Sequence, residues 1–283
     1  MQKKIDTVKT LMDAMPFIKE FRDEIVVIKY GGSAQSSEEL KAKFAQDIVL
    51  LHLVGVKVVI VHGGGSRISQ LLGDLKIPTE FIDGERVSTP EVMRIVEMVL
   101  SGEINKEITS LLNSHGAKAI GISGKDAHFL KAKPKDEAKF GLTGRVSEVK
   151  ADVIHNLLRE NFIPVIAPIG ADEALGHPGY NINADLAASA IAAAIGACKV
   201  IFMTDTPGVL NKEKELFSTL SEAEVEALKK DGTISGGMVP KVDACLEAVD
   251  GGVKKAHIID GRIEHAILLE LFTSEGVGTQ ITL

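Results

Sequence analysis

The sequence predicts an α/β fold in which a central, mostly parallel sheet is sandwiched by helices. Short apolar runs rich in Val and Ile alternate with longer amphipathic segments along nearly the whole chain. Three predicted strands stop at turn-forming clusters, residues 31–32, 63–65 and 205–208. The 283 residues are enough for one large domain or two lobes, and we place the lobe boundary near residues 170–178.

The N-terminal half begins with a helix and then alternates. Apolar residues at helical spacing predict an amphipathic helix over residues 5–18, which packs either on its own domain or on another subunit. Ser37 is a suitable N-cap for the next helix. We expect strands at residues 25–30, 56–61, 118–122 and 162–167, helices at 37–53, from 66, after Pro90 and at 151–159, and hairpins at 123–149.

The C-terminal half repeats this alternation. We expect helices at residues 186–195, 221–230, 239–249 and 263–271, with strands at 199–204 and 255–259. Strands that alternate with helices in this way form parallel sheets with helices on both faces.

Composition excludes several classes of protein. Asp and Glu (39) outnumber Lys and Arg (32), the aromatic content is 4%, and there is no Trp, so we expect no nucleic-acid partner. Cys198 and Cys245 are far apart, which excludes a disulfide framework and a structural zinc site. The polar N-terminus is unlike a secretory signal, and the longest apolar run, residues 186–198, is too short to span a bilayer. We therefore predict a cytoplasmic protein with no membrane partner.

The glycine clusters predict a crevice that handles phosphate. The carboxyl ends of parallel strands lie at one edge of the sheet, where ligands bind. The amides of Gly64 and Gly65 open a helix, whose N-terminus favours an anion. Each cluster alone is equally well a tight turn, and only the three together favour a crevice. The GxxxxGK[ST] and GxGxxG motifs are missing, which argues against a P-loop protein and against a nicotinamide-dependent oxidoreductase.

Two lysines and one polar motif complete the candidate site. Lys29 stands next to the turn that stops the first strand, and Lys241 lies in the first turn of a helix. A lysine in the first turn of a helix faces the positive end of the helix dipole, and a bound polyphosphate would offset this unfavourable interaction. Taken alone, each lysine is equally well explained as an ordinary surface residue. Residues 181–185, Asn-Ile-Asn-Ala-Asp, either cap the following helix or bind a small polar ligand and orient the lysines.

Six motifs together resemble those of the amino-acid kinase family, and they appear in family order. They occupy residues 27–32, 61–65, 83–87, 181–185, 204–210 and 236–241. The resemblance is to the branch that phosphorylates the side-chain carboxylate of N-acetyl-L-glutamate with ATP and Mg²⁺, the second step of arginine biosynthesis. It implies an N-terminal oligomerisation helix (residues 1–20), an N-lobe that binds the acyl acceptor (21–175) and a C-lobe that binds ATP (176–283).

The resemblance also implies roles for particular residues. Lys29 and Lys241 would stabilise the transferring phosphoryl group, and Asp185 would hold both lysines in place. The acceptor would contact Gly64, Gly65, Arg86 and Asn181. The nucleotide would contact Gly31, Gly32, Asp205, Gly208, Leu210 and Ser235. We expect no metal ligands from the protein, because Mg²⁺ usually binds through the phosphates.

The implied chemistry agrees with the residues. A free Glu side chain has a pKa of roughly 4.3, so the acceptor is already ionised at neutral pH and needs no general base. The sequence offers no candidate catalytic His. Two anions must be brought together, so positioning and positive charge should carry catalysis.

The C-terminal residues 258–279 and the N-terminal helix together resemble the arginine-inhibited subclass of these kinases. The resemblance implies a homo-oligomer, either a dimer or a hexamer built as a trimer of dimers joined by the N-terminal helices. It also implies that L-arginine inhibits the enzyme by contacting His265, Glu270 and Gly276. A Glu carboxylate such as that of Glu270 can pair with a guanidinium.

Two alternatives remain open. A sister kinase would act on aspartate, glutamate or carbamate, although Arg86 and the Asn181 motif favour an N-acetylated acceptor. A non-catalytic arginine-binding sensor could keep the same fold, but the presence of Lys29, Lys241 and Asp185 argues against it.

Overall fold

The computed structural model describes residues 1–35 and 37–283. The strands are β1 (Ile25–Tyr30), β2 (Lys57–His62), β3 (Phe81–Ile82), β4 (Glu85–Arg86), β5 (Ala119–Ser123), β6 (Leu130–Pro134), β7 (Thr143–Val149), β8 (Ile163–Ala167), β9 (Ile169–Gly170), β10 (Tyr180–Ile182), β11 (Lys199–Thr204), β12 (Thr219–Ser221), β13 (Lys255–Asp260) and β14 (Thr279–Thr282). The α-helices are α1 (Gln2–Phe21), α2 (Glu38–Leu53), α3 (Gly65–Asp74), α4 (Pro90–Glu97), α5 (Asn105–Ser114), α6 (Glu137–Phe140), α7 (Ala151–Arg159), α8 (Ala184–Ala194), α9 (Glu222–Lys230), α10 (Val239–Asp250) and α11 (Ala266–Phe272).

The central sheet has eight strands in the order β12-β14-β13-β11-β1-β2-β8-β5. Its neighbouring strands are parallel except β13 and β14, which run antiparallel. The strands that precede residue 168 occupy one half of the sheet and those that follow residue 198 occupy the other. The predicted α/β fold with a mostly parallel sheet is therefore confirmed.

Helices cover both faces of this sheet because its strands are apolar on both sides. Val26 and Ile28 of β1 pack into one cluster with α2 and α5, whereas Val27 packs into a second cluster with α8 and α10. Successive residues of a strand point to opposite faces, so a continuous apolar run buries both. The core thus lies in two layers, above and below the strands.

Several predicted elements are found where the sequence placed them. The bounds of β1, β11 and α7 agree with the predicted ranges. The Ser37 side chain accepts a hydrogen bond from the Leu40 amide at 3.2 Å, so it caps α2 as predicted. Strands β12 and β14, which complete one edge of the sheet, were not predicted.

The long helix predicted after Pro90 is not α-helical throughout. Residues Met98–Ile104, between α4 and α5, form a π-helix. Such segments add a residue to a helical turn and are frequent at functional sites.

The N-terminal helix α1 leaves most of its apolar face uncovered. Ile5, Val8, Leu11 and Met12 are exposed, whereas Phe21 at the end of α1 is buried. The predicted helix is confirmed, and within this chain it packs only through its C-terminal end. Among the helices of residues 1–35 and 37–283, none is both long and apolar enough to cross a membrane.

A second, smaller sheet and a hairpin stand beside the carboxyl edge of the central sheet. The small sheet has the order β6-β7-β10-β9, and β3 pairs with β4 in the hairpin. Thr143 of β7 donates a hydrogen bond to the Arg86 carbonyl of β4 at 2.5 Å, which joins the two. Both elements carry residues of the candidate site, Asn181 on β10 and Arg86 on β4.

Candidate functional site

The glycine turns after β1 and β2 lie side by side at the carboxyl edge of the central sheet. The two strands are parallel and in register, with Lys29 opposite Val61 and Tyr30 opposite His62. A cavity of about 210 Å³ opens at this edge. It is lined by Lys29, Gly63, Gly64, Gly65, Ile68, Phe81, Arg86, Leu100, Pro168, Asn181, Ile182, Asn183, Ala184 and Asp185.

Three charged side chains from distant parts of the chain meet beside this cavity. The Asp185 carboxylate lies 2.9 Å from the Lys29 ammonium and 3.6 Å from the Lys241 ammonium. Burial opposes ionisation of Asp185, but the two ammonium groups outweigh burial and hold its pKa below the ordinary value. The group as a whole carries one net positive charge.

Local structure explains how these three residues converge. Lys29 is near the end of β1, whereas Asp185 and Lys241 lie in the first turns of α8 and α10. Asn183 caps α8, since its side-chain oxygen accepts hydrogen bonds from the backbone amides of Asp185 at 2.8 Å and Leu186 at 3.3 Å. The capping role considered for the Asn-rich motif is therefore present, and Asp185 of the same motif contacts both lysines.

Arg86 forms one wall of the cavity. Its guanidinium donates hydrogen bonds to the Gly65 carbonyl at 3.0 Å, to Ser69 Oγ at 2.7 Å and to Thr79 Oγ1 at 2.7 Å. It also lies 4.6 Å from the centre of the Phe81 ring. These contacts hold a buried positive charge against the start of α3.

Asn181 and Gly64 complete the acceptor side. The Asn181 amide donates to Ser88 Oγ at 3.1 Å, and Asn181 lines the cavity. Gly64 lies against the π-helix, where an added Cβ would stand 2.5 Å from Ile104 Cδ1 and 2.6 Å from Leu100 Cδ2. A larger residue at this position would require the ends of these two side chains to shift.

The six residues predicted to contact the nucleotide are not among those that line this cavity. Gly31 and Gly32 follow β1, and Asp205 follows β11, the neighbouring strand of the same sheet edge. Gly208 has φ +142° and packs on Thr279, where an added Cβ would stand 2.5 Å from Oγ1. The others are Leu210, which bridges to Leu216, and Ser235, which precedes the 3-10 turn leading into α10.

Comparison with known proteins decides the family. The model of the amino acid kinase family matches residues 24–260. The chain belongs to the amino acid kinase family. The acetylglutamate kinase of Sulfurimonas denitrificans is 73% identical over 283 residues, which cover 100% of both chains. That of Nitratiruptor sp. is 70% identical over 281 residues, which cover 99% of each chain. The family resemblance predicted from the motifs is confirmed.

Solved structures share the fold of this kinase at lower identity. An N-acetylglutamate synthase from Neisseria gonorrhoeae, complexed with coenzyme A and N-acetyl-glutamate, has a TM-score of 0.86 and 22% identity over 98% of this chain and 63% of its own. A carbamate kinase from Giardia lamblia bound to AMP-PNP has a TM-score of 0.70 and 21% identity over 92% of this chain and 98% of its own. These similarities support the fold of the kinase.

A second cavity, of about 350 Å³, lies between the end of α1 and the C-terminal segment of the kinase. Glu270 lines this cavity, and its carboxylate lies 3.0 Å from the Lys199 ammonium and 2.8 Å from His257 Nε2. It also accepts the Val277 amide at 2.9 Å. Burial opposes ionisation of Glu270, but His257 and Lys199 outweigh burial and lower its pKa. Gly276 is close by, since an added Cβ would stand 2.7 Å from Glu270 Oε2.

His265 lies outside this second cavity. Its ring Nδ1 lies 2.5 Å from Asp47 Oδ1 on α2, and its backbone is left-handed with φ +58°. Of the three predicted effector residues, Glu270 and Gly276 therefore stand together and His265 does not. His257 and Lys199 were not predicted at this cavity, although polar residues in the buried strands β13 and β11 were a signal that could have found them.

Within residues 1–35 and 37–283, no group of three or more His, Cys, Asp or Glu side chains is arranged to hold a metal ion.

Proposed function

We propose that this kinase transfers the γ-phosphoryl group of ATP to the side-chain carboxylate of N-acetyl-L-glutamate, forming N-acetyl-L-glutamyl 5-phosphate for arginine biosynthesis. The observation that carries this proposal is the meeting of Lys29, Asp185 and Lys241 beside a cavity walled by Arg86 and Asn181. The names of the relatives that cover the whole chain support the choice of acceptor.

The acceptor would lie in the 210 Å³ cavity. Arg86 suits a carboxylate, because a guanidinium binds carboxylates in a planar, paired geometry. Asn181 suits the acetamido group, because an amide side chain both donates and accepts hydrogen bonds. The backbone amides of Gly64 and Gly65, at the N-terminus of α3, suit the reacting carboxylate and phosphoryl oxygens.

The reaction asks for charge stabilisation and for no proton transfer from the acceptor. A carboxylate oxygen attacks the γ-phosphorus, the bond from that phosphorus to the β–γ bridging oxygen breaks, and ADP leaves. Lys29 and Lys241 would neutralise the charge that spreads over the transferring oxygens. Asp185 would keep both ammonium groups aimed at that point, which avoids reorganisation during the step.

ATP would approach from the C-terminal half of the sheet edge. We assign its contacts to Gly31, Gly32, Asp205, Gly208, Leu210 and Ser235, which lie on or beside β1, β11 and α10. Mg²⁺ would arrive with ATP as part of the substrate, since it binds mainly to phosphates and water. The predicted division, with residues 21–175 serving the acceptor and residues 176–283 the nucleotide, stays a prediction. The proposed contacts cross it, since Asn181 and Asp185 line the acceptor cavity and Gly31 and Gly32 are assigned to ATP.

Arginine would act at the second cavity. An aliphatic guanidinium ligand suits a space that contains the Glu270 carboxylate and is bordered by Phe17 and Phe21 of α1. Because α1 forms part of this cavity and leaves Ile5, Val8 and Met12 exposed, residues 1–20 would join copies of the chain into a dimer or hexamer. The cytoplasmic location predicted from the sequence stays a prediction.

A panel of acceptors tests the proposed function. The purified kinase is incubated with ATP and Mg²⁺ and with N-acetyl-L-glutamate, L-glutamate or L-aspartate, and acyl phosphate is trapped with hydroxylamine. We expect hydroxamate with N-acetyl-L-glutamate and little with the others. Product with L-glutamate or L-aspartate instead would assign a sister kinase, and arginine binding without any product would assign a sensor.

A further inference from the structure

The glycine turn after β2 is supported by two polar side chains that do not line the acceptor cavity. His62 ends β2 and Asn105 begins α5, and both are fully buried. Buried polar side chains are costly unless they are hydrogen-bonded, so the bonds of this pair define their protonation and orientation.

The neighbours of Asn105 fix the orientation of its amide. The Lys106 ammonium, which can only donate, lies 2.9 Å from Asn105 Oδ1 and also donates to the Gly121 carbonyl at 2.8 Å. The Asn105 nitrogen donates to the Val165 carbonyl at 2.8 Å and lies 3.2 Å from His62 Nε2. The Ile122 carbonyl is farther from the Asn105 nitrogen, at 3.4 Å, so the second amide hydrogen is assigned to His62 Nε2, which accepts it.

This assignment fixes the tautomer of His62. With Nε2 accepting, the ring hydrogen is on Nδ1, which lies 3.0 Å from the Gly63 carbonyl oxygen and donates to it. Burial lowers the pKa of His62 to about 4, so the imidazole is neutral at neutral pH, in agreement with this tautomer.

The bond to Gly63 has a consequence for Gly64. In a trans peptide the carbonyl oxygen and the following N–H point in opposite directions, so a carbonyl held by His62 directs the Gly64 N–H away from the core. The Gly63 amide also donates to the Tyr30 carbonyl at 3.0 Å, which holds the other side of the turn. Among the described residues the Gly64 N–H has no hydrogen-bond acceptor, and Gly64 lines the cavity.

The π-helix supports the same turn. Leu100 and Ile104 of the π-helix lie against Gly64, and the next residue, Asn105, faces His62. A π-helix changes the angular spacing of side chains, so these three residues can face the turn together.

We propose that His62 and Asn105 are positioning residues that aim the Gly64 N–H at the reacting oxygens. This inference rests on the proposed function, because it assigns the Gly64 amide to the phosphoryl-transfer site. A positioning role requires the hydrogen bonds to run in one direction, from Asn105 through His62 to Gly63. A role in core packing alone sets no such direction.

Two substitutions of His62 separate positioning from packing. The amide nitrogen of Asn stands near the position of His Nδ1, so His62→Asn keeps a donor for the Gly63 carbonyl. The longer Gln in His62→Gln places its amide near Nε2 and loses that donor. We expect kcat to fall about 100-fold in His62→Gln, as for loss of one transition-state donor, and about 10-fold or less in His62→Asn. The KM for ATP should change less than twofold in both.

Which of the two variants keeps the higher kcat distinguishes positioning from packing. Gln is closer to His in volume than Asn, so a packing role predicts that His62→Gln retains at least as much kcat, and that result would overturn the proposal. Asn113→Ala is the matched control, since it removes two hydrogen bonds between α5 and Ala119 (2.7 and 3.1 Å) away from the turn. It should lower the thermal midpoint and leave kcat unchanged.

A spectroscopic measurement keeps the inference testable if N-acetyl-L-glutamate is not the acceptor. Long-range ¹H–¹⁵N spectra of the wild-type imidazoles at pH 7 should show His62 protonated on Nδ1 alone. Asn105→Asp, which keeps the shape but cannot donate, should move the proton to Nε2. A wild-type His62 protonated on Nε2 would contradict the proposal whatever the acceptor, whereas failure of the acceptor panel alone would contradict only the proposed function.

Discussion

The Lys29 ammonium lies 2.9 Å from Oδ1 of Asp185, and this ion pair joins the end of β1 to the first turn of α8. Both side chains are almost buried, at 11% and 12% exposed. A buried ion pair costs solvation on forming, and removing one partner leaves an unpaired buried charge. This costly ion pair lies at the cavity where an anion would bind. Its position is consistent with the proposed role of Asp185 in orienting the positive charge of Lys29.

Neutralising Asp185 should therefore impair the chemical step. Asp185→Asn leaves the ammonium groups of Lys29 and Lys241 without their shared anchor, and we expect kcat to fall about 100-fold, the scale for loss of preorganised electrostatic stabilisation. Steady-state kinetics with N-acetyl-L-glutamate and ATP measure this. Asp243→Asn is the control, since Asp243 lies on α10 but pairs with Lys229 at 2.6 Å. An Asp185→Asn enzyme with unchanged kcat would remove Asp185 from the mechanism.

Replacing Arg86 should weaken acceptor binding. Lysine keeps the charge but cannot reproduce the bonds to Gly65, Ser69 and Thr79 while binding a carboxylate. Hydrogen bonds to charged groups contribute about 1.5–3 kcal/mol each, so Arg86→Lys should raise the KM for the acceptor about tenfold or more. The KM for ATP should stay within about twofold. Arg159→Lys, on the exposed end of α7, is the control, and an equal rise in both KM values would argue for a general disturbance.

Substitutions of Glu270, inside the second cavity, and of His265, outside it, should have different effects on the response of the enzyme to arginine. We expect millimolar L-arginine to raise the thermal midpoint of the wild type and to lower its activity. Glu270→Gln should lose most of both effects, because the amide cannot pair with a guanidinium as a carboxylate does. His265→Asn should retain them, since His265 contacts Asp47 outside the cavity. The reverse pattern would place arginine near α2.

Asp47 should make stability depend on pH. Burial raises the pKa of Asp47 to about 6 in the folded chain, against an ordinary value of 3.8, and the His265 contact offsets only part of this rise. The folded state then binds a proton that the unfolded state has lost. The contribution of Asp47 to the free energy of unfolding is therefore highest below about pH 4 and falls as the pH rises to about 6.

Chemical denaturation at pH 4, 5 and 6 measures this dependence. Across this range Asp47 should lower the free energy of unfolding of the wild type by roughly 1–3 kcal/mol, at about 1.4 kcal/mol for each pKa unit. Asp47→Asn should lack this decrease. Asp152→Asn, an exposed carboxyl in the first turn of α7, should follow the wild type. Identical curves for Asp47→Asn and the wild type would show that Asp47 titrates normally.

Much of the site could be predicted because its residues belong to local motifs. Lys29 near the end of a strand, and Asp185 and Lys241 in first turns of helices, are placed by secondary structure alone. A parallel sheet then brings such ends to one edge. The long-range consequence, that Lys29 and Lys241 share one carboxylate, required the packing of α8 and α10 against the sheet.

Other features depend on contacts that the sequence pattern does not encode. The apolar residues of the π-helix, Met98, Val99, Leu100 and Ile104, do not distinguish it from a continuous α-helix. Strand β14 forms because β12 and β13 lie on either side of it. His265 turns toward Asp47 through a left-handed backbone that few non-glycine residues adopt, so its motif alone could not direct it.

We propose that Lys29 at this site promotes phosphoryl transfer from ATP to a carboxylate. The most direct measurement is the rate of hydroxamate formation from ATP, N-acetyl-L-glutamate and hydroxylamine by the wild type and by Lys29→Ala, side by side. We predict ATP-dependent product from the wild type and a rate lower by about 100-fold or more from the variant. Equal rates from the two enzymes, or no product from a folded wild type, would contradict the account.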